Sequence, residues 1–488
     1  MNTAKRYVVE MLTKKDFTQT FMIDAVKGRE YSYEAFFRRC LRMAGILNDI
    51  GSDQQIVVVM ENSFQLALLY FAMMFTQRHI TVIDPQKGKD ETDKIIAQIE
   101  SPYVIRNEEW TLADESEVEE ESDREDTRES VIQGIEKRDF HSLFLITFTS
   151  GTSGNTKGVK HTLNNLILTA IALHNKVGTS SDSRLIHVMP MTYMAGILNS
   201  LFYPFIAGAS VVITNRFSIM SARNFWKTVQ AYEVNLFWLS PSMLMMIDQL
   251  DRGDVGEKYC QNHNLTFLVG TAPLSNELRQ KFNERYHVCV YASYGLSETL
   301  FVSVENDATL SRSERNCVGE LLEGVTYRIT QSGELYLNVP WMYSGYTNEN
   351  TNEYFEGEYY KSGDLVRIDN DCLYITGRSK DLIIKGGMNI SPVLIENVVG
   401  QNASIQENVV MGVRDKSGEE KICCVYKEAA EGMNTHTLES EVRKAVLDKL
   451  GINYAIDYLW KVEKIPRNIN GKIDKNELRR QWEESNDG

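Results

Sequence analysis

Residues Thr147 to Thr162 read TFTSGTSGNTKGVKHT. The stretch follows an apolar run, SLFLI, and precedes LNNLILTAIALHN, whose apolar spacing is helical. This order predicts a strand, a glycine-rich loop and a helix. Glycines at 151, 154 and 158 permit close backbone approach by a ligand. Thr149, Ser150, Thr152, Ser153 and Thr156 supply hydroxyls, and Lys157 supplies a positive charge. Such a loop suits a polyphosphate. It is not a Walker loop, because only two residues separate Gly154 from Lys157 and a glycine follows the lysine. Read alone, such a tract is more often a flexible Ser/Gly turn.

Working outward, the first three hundred residues repeat one pattern. IVVVM leads to FQLALLYFAMMF and then ITVID. LIHVM leads to AGILNSLFYPFIAG and then SVVIT, and TFLVG leads to NELRQKFNERY and then VCVYASYG. Apolar strands alternating with helices predict doubly wound parallel sheets covered on both faces. Right-handed crossovers then put the C-terminal ends of the strands on one edge, where ligands collect. Four glycine-bearing segments follow such strands: TSGTSGNTKG, MPMTYMAG, GTAPL and YGLSET. Their convergence on one edge says more than any one of them.

From about Cys317 the sequence turns β-rich, as in GELYLNVP and GEYYKSGDLVRI. After Gly377 a hairpin (VVMGVRDKSGEEKICCVYK), an amphipathic helix (LESEVRKAVLDKLG) and a strand (YLWKVEKIP) predict a small α+β domain. The expected division is a large α/β domain over 1–377 with a β-rich subdomain, a hinge at 378–380, and a small mobile domain over 381–488. Residues 108–130 are dense in acids and read as a solvated, mobile excursion.

The formal net charge of -15 argues against nucleic acid as a partner. LALLYFAMMF is too short to span a bilayer, and the N-terminus lacks an apolar signal core. The seven cysteines are scattered, without a CxxC pair. A cytoplasmic protein is expected.

Glu298, in YASYGLSET, can hold Mg2+ through oxygen, and Tyr294 beside Gly295 can lie on an aromatic base. Ser297 and Glu298 can also simply begin a helix. Asp364 after Gly363 reads as a turn carboxylate, able to accept both ribose hydroxyls or to bond its own turn. GRSKDLIIKGGMNISP places Arg378, Lys380, Gly386 and Gly387 at the domain junction. Lys472, after Gly471, is either presented on a loop tip or a solvated surface group.

In this order and spacing the segments resemble the adenylate-forming superfamily, which includes acyl- and aryl-CoA ligases, firefly-type luciferases and peptide-synthetase adenylation domains. The resemblance runs from about residue 30 to about residue 480 and includes the fainter GELYLNVPWMYSGY. It implies a phosphate loop in which Thr152 and Lys157 contact phosphate, with Thr156 where proline is usual. It implies that Gly270, Thr271, Ala272 and Pro273 pack along adenine and that Tyr294 stacks on it. Glu298 matches the Mg2+ ligand, with Ser297 in place of threonine. Asp364 and Arg378 match ribose or phosphate contacts, and Lys380 the hinge. Lys472 matches the catalytic lysine of the first half-reaction, while Gly386 and Gly387 border the thiol channel.

The resemblance further implies two steps: a carboxylate attacks the α-phosphate of ATP, then a thiol displaces AMP from the acyl-adenylate. The GG-N pattern resembles the CoA-ligase branch. Tyr193 stands where many acyl- and aryl-CoA ligases carry histidine, which puts Tyr193, Met194 and Gly196 at the acyl site. Thr192 to Gly196 contains no aspartate to pair an ammonium, so an acid without an α-amine is expected. The thiol is expected to be CoA, with a carrier protein's phosphopantetheine as the alternative. A nucleotide sensor without catalysis is the reading from another class.

Overall fold

The computed structural model describes residues 2–107, 127–150, 156–310, 317–347, 350–385, 388–415, 419–429, 435–467 and 473–486. Among them a five-stranded sheet runs in the order Pro102–Arg106, Gln55–Val59, Ile80–Val82, Leu143–Ser150, Thr156–Thr162. The first four strands are parallel, as the βαβ pattern predicts, and the last is antiparallel. The opening stretch is therefore a hairpin, not a strand–loop–helix junction. Val159, Lys160 and His161 pair with Thr147, Ile146 and Leu145. The helix starts only at Leu163, where the Thr162 side chain accepts from the Asn165 backbone N–H, and it ends at Gly178 in the left-handed conformation.

A second, 14-stranded sheet joins two halves of different character. Ser210–Ile213, Arg184–His187, Leu236–Leu239, Thr266–Val269 and Val290–Leu296 are parallel neighbours with helices packed against them. The strand Val290–Leu296 is the point of change. Val290 to Ala292 pair in parallel with Phe267 to Val269, whereas Ser293 to Leu296 pair antiparallel with Leu300–Val304. Beyond it the sheet is antiparallel through Cys317–Leu321, Cys372–Arg378, Tyr359–Asp369, Glu334–Asn338 and Thr326–Ile329, the β-rich part expected from about Cys317.

Aromatic packing ties the N-terminal segment to the helix Phe64–Ala72 of the five-stranded sheet. Phe21 stacks on Tyr33 at 4.4 Å and meets Phe36 and Phe71 edge-on, all fully buried. Each such ring contributes about 1.5–3 kcal/mol through burial alone. The segment expected to be an acidic excursion over 108–130 ends earlier. Residues 108–126 lie outside the described residues, and Thr127 begins a helix that continues to Lys137 and buries Val131 and Ile135.

The C-terminal residues form their own core. Ile405–Arg414 and Glu420–Glu428 make the expected hairpin, Tyr458–Lys461 adds in parallel, and the helices Pro392–Val399 and Thr435–Leu450 pack on one face. Contact with the large sheet includes a hydrogen bond from Ser391 Oγ to the Thr376 carbonyl at 2.6 Å.

Candidate active site

The strand at which the sheet changes from parallel to antiparallel carries the first group of residues. Tyr294 donates its hydroxyl to Asp364 Oδ2 at 2.6 Å, and Arg378 Nε donates to Asp364 Oδ1 at 2.7 Å. Asp364 is not in a turn, as its glycine neighbour implies, but inside a long strand directly opposite Arg378. Gly363, at φ +72°, accommodates the left-handed backbone before it. The carboxylate is buried, while Arg378 remains partly exposed. Burial, with Asp364 beside it, pushes the Tyr294 hydroxyl well above the usual tyrosine range, so it stays a donor.

Three residues further on, Ser297 to Thr299 form the turn of the hairpin rather than the start of a helix. Gly295 is obligatory here, since a Cβ would lie 2.0 Å from the Leu300 carbonyl oxygen. Glu298 Oε1 accepts from Tyr346 at 2.7 Å, and its backbone carbonyl accepts from Tyr343 N at 2.9 Å. His161, from the phosphate-loop hairpin, places Nε2 2.7 Å from the Ser297 carbonyl. Burial lowers this imidazole to about 4, so it is neutral near pH 7 and Nε2 carries the donated hydrogen.

Lys157 lies on the same side. Its ammonium donates to Tyr354 at 2.5 Å and sits 4.6 Å and 5.4 Å from the ring centres of Tyr354 and Tyr346. The strand after it is clamped by the segment 344–347. Lys160 N donates to Gly345 O, Ser344 N to Lys160 O and Thr347 N to Gly158 O. A Cβ at Gly158 would meet the Thr347 side chain at 2.7 Å, which accounts for glycine at that position. Gly151, Thr152, Ser153, Gly154, Gly386, Gly387 and Lys472 lie outside the described residues, as do the side chains of Thr149 and Ser150.

Gly270 to Pro273 follow the strand next to Tyr294. Gly270 N donates to Leu239 O, and a Cβ at Gly270 would meet Ser293 Oγ at 2.6 Å. Thr271 takes a left-handed φ of +70°. Tyr193 and Met194 are half-buried in the segment that follows the strand Arg184–His187, ahead of a π-helix from Ala195 to Phe202. Tyr193 O accepts from Gly196 N and Ile197 N, and His187 Nε2 lies 2.8 Å from Gly196 O. The other sheet's elements hold this segment from outside: Tyr70 donates to Met191 O, and Asn62 brackets Met189 and Met191. Lys380 sits exposed in a single turn, Ser379–Asp381, next to Arg378.

Three groups thus converge along one hairpin: Tyr294–Asp364–Arg378, Glu298–Tyr346, and Lys157 with its tyrosines. The sequence reading missed Tyr346, Tyr354, Tyr360 and His161. Tyr346 ends the faint match GELYLNVPWMYSGY, and His161 and Tyr360 lie inside TFTSGTSGNTKGVKHT and GEYYKSGDLVRI, where neither was singled out.

The donor chemistry can be tested for Mg2+. Among the described residues no group of three or more His, Cys, Asp or Glu converges. A single carboxylate is nonetheless what Mg2+ ordinarily takes from a protein when substrate phosphates and water complete its octahedron. Glu298, fixed at one oxygen by Tyr346, fits that pattern.

The sequence profile of AMP-binding enzymes matches residues 13–347. Among similar proteins, peroxisomal OPC-8:0-CoA ligase 1 of Arabidopsis thaliana is 24% identical over 93% of this chain and 89% of its own length. The 2-succinylbenzoate–CoA ligase of Listeria monocytogenes is 25% identical over 93% of this chain and 95% of its own. In fold, ATP-bound MatB from Rhodopseudomonas palustris superposes with a TM-score of 0.80 at 20% identity, covering 99% of this chain and 100% of that one. With the profile spanning well over half of its length, the chain belongs to the family of AMP-binding enzymes.

Proposed function

We propose that the chain is an ATP-dependent, AMP-forming acid–CoA ligase. The observation that carries the reading is the hairpin Val290–Val304, which presents Tyr294 to the buried Asp364 and its partner Arg378, and Glu298 to the tyrosine whose ring faces Lys157. A nucleotide laid along it meets a ribose-sized acceptor at one end and charge for its phosphates at the other. The names of the two similar proteins given above, both acid–CoA ligases, support CoA over a carrier protein as the acceptor.

In the first step an acid oxygen attacks the α-phosphorus of ATP, and the bond to pyrophosphate breaks. An anion meets a polyanion, so the step needs positive charge near the reacting oxygens. Lys157 serves the departing pyrophosphate, and Lys472 the carboxylate and α-phosphate. Mg2+ held by Glu298 would supply charge neutralisation at the phosphates. Asp364 accepts from the ribose hydroxyls, its carboxylate held in place by Tyr294 and Arg378. In the second step the CoA sulfur, having lost its proton, attacks the acyl carbon and AMP leaves with the electron pair.

Tyr193 and Met194 close the carboxylate end of the acyl site, in a segment, Thr192 to Gly196, that carries no acidic side chain for an ammonium. An acid without an α-amine is the substrate class. Exchange of labelled pyrophosphate into ATP, screened across aliphatic, aryl and amino acids, tests the first step. Mass detection of a CoA thioester tests the second. Exchange is expected with acids lacking an α-amine. Absence of exchange with every acid, despite ATP binding, would leave the sensor reading in its place.

A further inference from the structure

Tyr346 touches both charged groups assigned to the triphosphate. Its hydroxyl donates to Glu298 Oε1 at 2.7 Å, and the face of its ring lies 5.4 Å from the Lys157 ammonium. The side chain is held on every side. Its residue bridges to Val159 on the phosphate-loop hairpin, its N–H donates to Thr351 Oγ1, and its hydroxyl lies 3.2 Å from that of Tyr360. Only 5% of the residue is exposed. A buried ring so constrained holds one geometry, and a phenol in that place is a permanent donor to the carboxylate.

We propose that Tyr346 is a positioning residue that couples the two halves of the phosphate site. Its hydroxyl fixes the Glu298 carboxylate for the cation, and its ring face holds Lys157 over the same phosphates. The inference rests on the nucleotide site proposed above. A partner that orients a metal-binding carboxylate typically controls affinity by 10–100-fold, which is large enough to measure. A cation against an aromatic face contributes less, a few-fold in affinity. The two roles are therefore separable by choosing what replaces the tyrosine. Phenylalanine removes the hydroxyl and keeps the ring. Leucine removes both.

The experiment is calorimetric titration of the full chain with ATP, with and without Mg2+, for the wild type, Tyr346→Phe, Tyr346→Leu and Tyr360→Phe. In Tyr346→Phe the gain in ATP affinity brought by Mg2+ should shrink about tenfold. Its metal-free ATP affinity should stay at the wild-type value. Tyr346→Leu should also lose about threefold in metal-free affinity. Tyr360→Phe, which removes the hydroxyl beside that of Tyr346, should show a smaller loss of the Mg2+ effect than Tyr346→Phe. Thermal midpoints identify any variant that fails to fold, and Tyr346→Phe, one oxygen short, carries the test alone if leucine does not.

Wild-type Mg2+ dependence in Tyr346→Phe overturns the coupling. So does an equal loss of metal-free and Mg2+-supported binding, which is the signature of a merely structural residue. If the wild type binds MgATP and shows the tyrosine effect but turns over no acid, the ligase reading fails and the coupling stands. If the wild type exchanges pyrophosphate and Tyr346→Phe is unaltered, the reverse holds.

Discussion

Asp364 concentrates the argument at the scale of single residues. Its two oxygens are already engaged, by the Tyr294 hydroxyl and by Arg378, before any nucleotide arrives. Both contacts leave lone pairs on the carboxylate, so it can accept further from a ribose. Removing it leaves Arg378 half-solvated rather than stranded, so the loss should fall more on binding than on folding. In Asp364→Ala the KM for ATP should rise about 10–100-fold, the equivalent of one or two hydrogen bonds to a charged group. A variant with normal KM for ATP and a lowered thermal midpoint would make the pair purely structural. The residue's importance was legible from GD in GEYYKSGDLVRI, but its setting was not. Gly-Asp reads as a turn, whereas the chain carries it through a strand because Glu334, opposite Leu365, and Arg378, opposite Asp364, supply partners distant in sequence. Tyr346 was hidden for the same reason. Nothing near it in sequence announces Glu298.

At the scale of elements, the alternation of strands and helices was readable because each strand is apolar throughout and each helix periodic. The stretch after Lys157 defeated that reading. Gly158 to Thr162 is short and polar enough to pass for the approach to a helix, and only pairing with Thr147 and clamping by 344–347 make it a strand. Two of these elements are pinned by buried imidazoles. His161 and His187 are fully buried, each donates to a backbone carbonyl, and burial brings each to about 4 from an ordinary 6.5. The unfolded chain therefore binds protons that the folded chain refuses between those values. Stability is complete above pH 6.5 and falls as the pH drops, by about 1.4 kcal/mol per pH unit for each histidine. Chemical unfolding at pH 7, 6 and 5 should show the midpoint falling over that window, and His187→Asn should reduce the slope. A profile equally steep in the variant would assign the loss to other groups.

At the scale of the whole molecule, the proposed division at 378–380 places the hydrogen bond from Ser391 Oγ to the Thr376 carbonyl across the junction. A polar contact of this kind suits an interface that is broken and remade. We expect the domain reading, with Lys380 as pivot, to separate the half-reactions. Lys472→Ala should abolish pyrophosphate exchange and retain thioester formation from supplied acyl-adenylate. Lys380→Pro, which fixes φ at the pivot, should retain exchange and lose thioester formation. Single-turnover assays of both steps decide the matter, and equal losses in both steps for either variant would remove the rotation.

The π-helix after Tyr193 has a consequence for how the acid preference of such a chain can change. Its wide turn is closed by bonds of the kind made from Tyr203 N–H to Leu198 O, five residues back, so it holds one residue more than an α-helix spanning the same ends. Loss of a single codon between Ala195 and Phe202 would let the segment relax into an ordinary helix with both flanks in place. The side chains leading away from Tyr193 would then be re-aimed as a set. With the acyl site at Tyr193, as proposed above, substrate range is open to deletion as well as to substitution, a route that reshapes that site in one genetic event while the hairpin Val290–Val304 is left untouched.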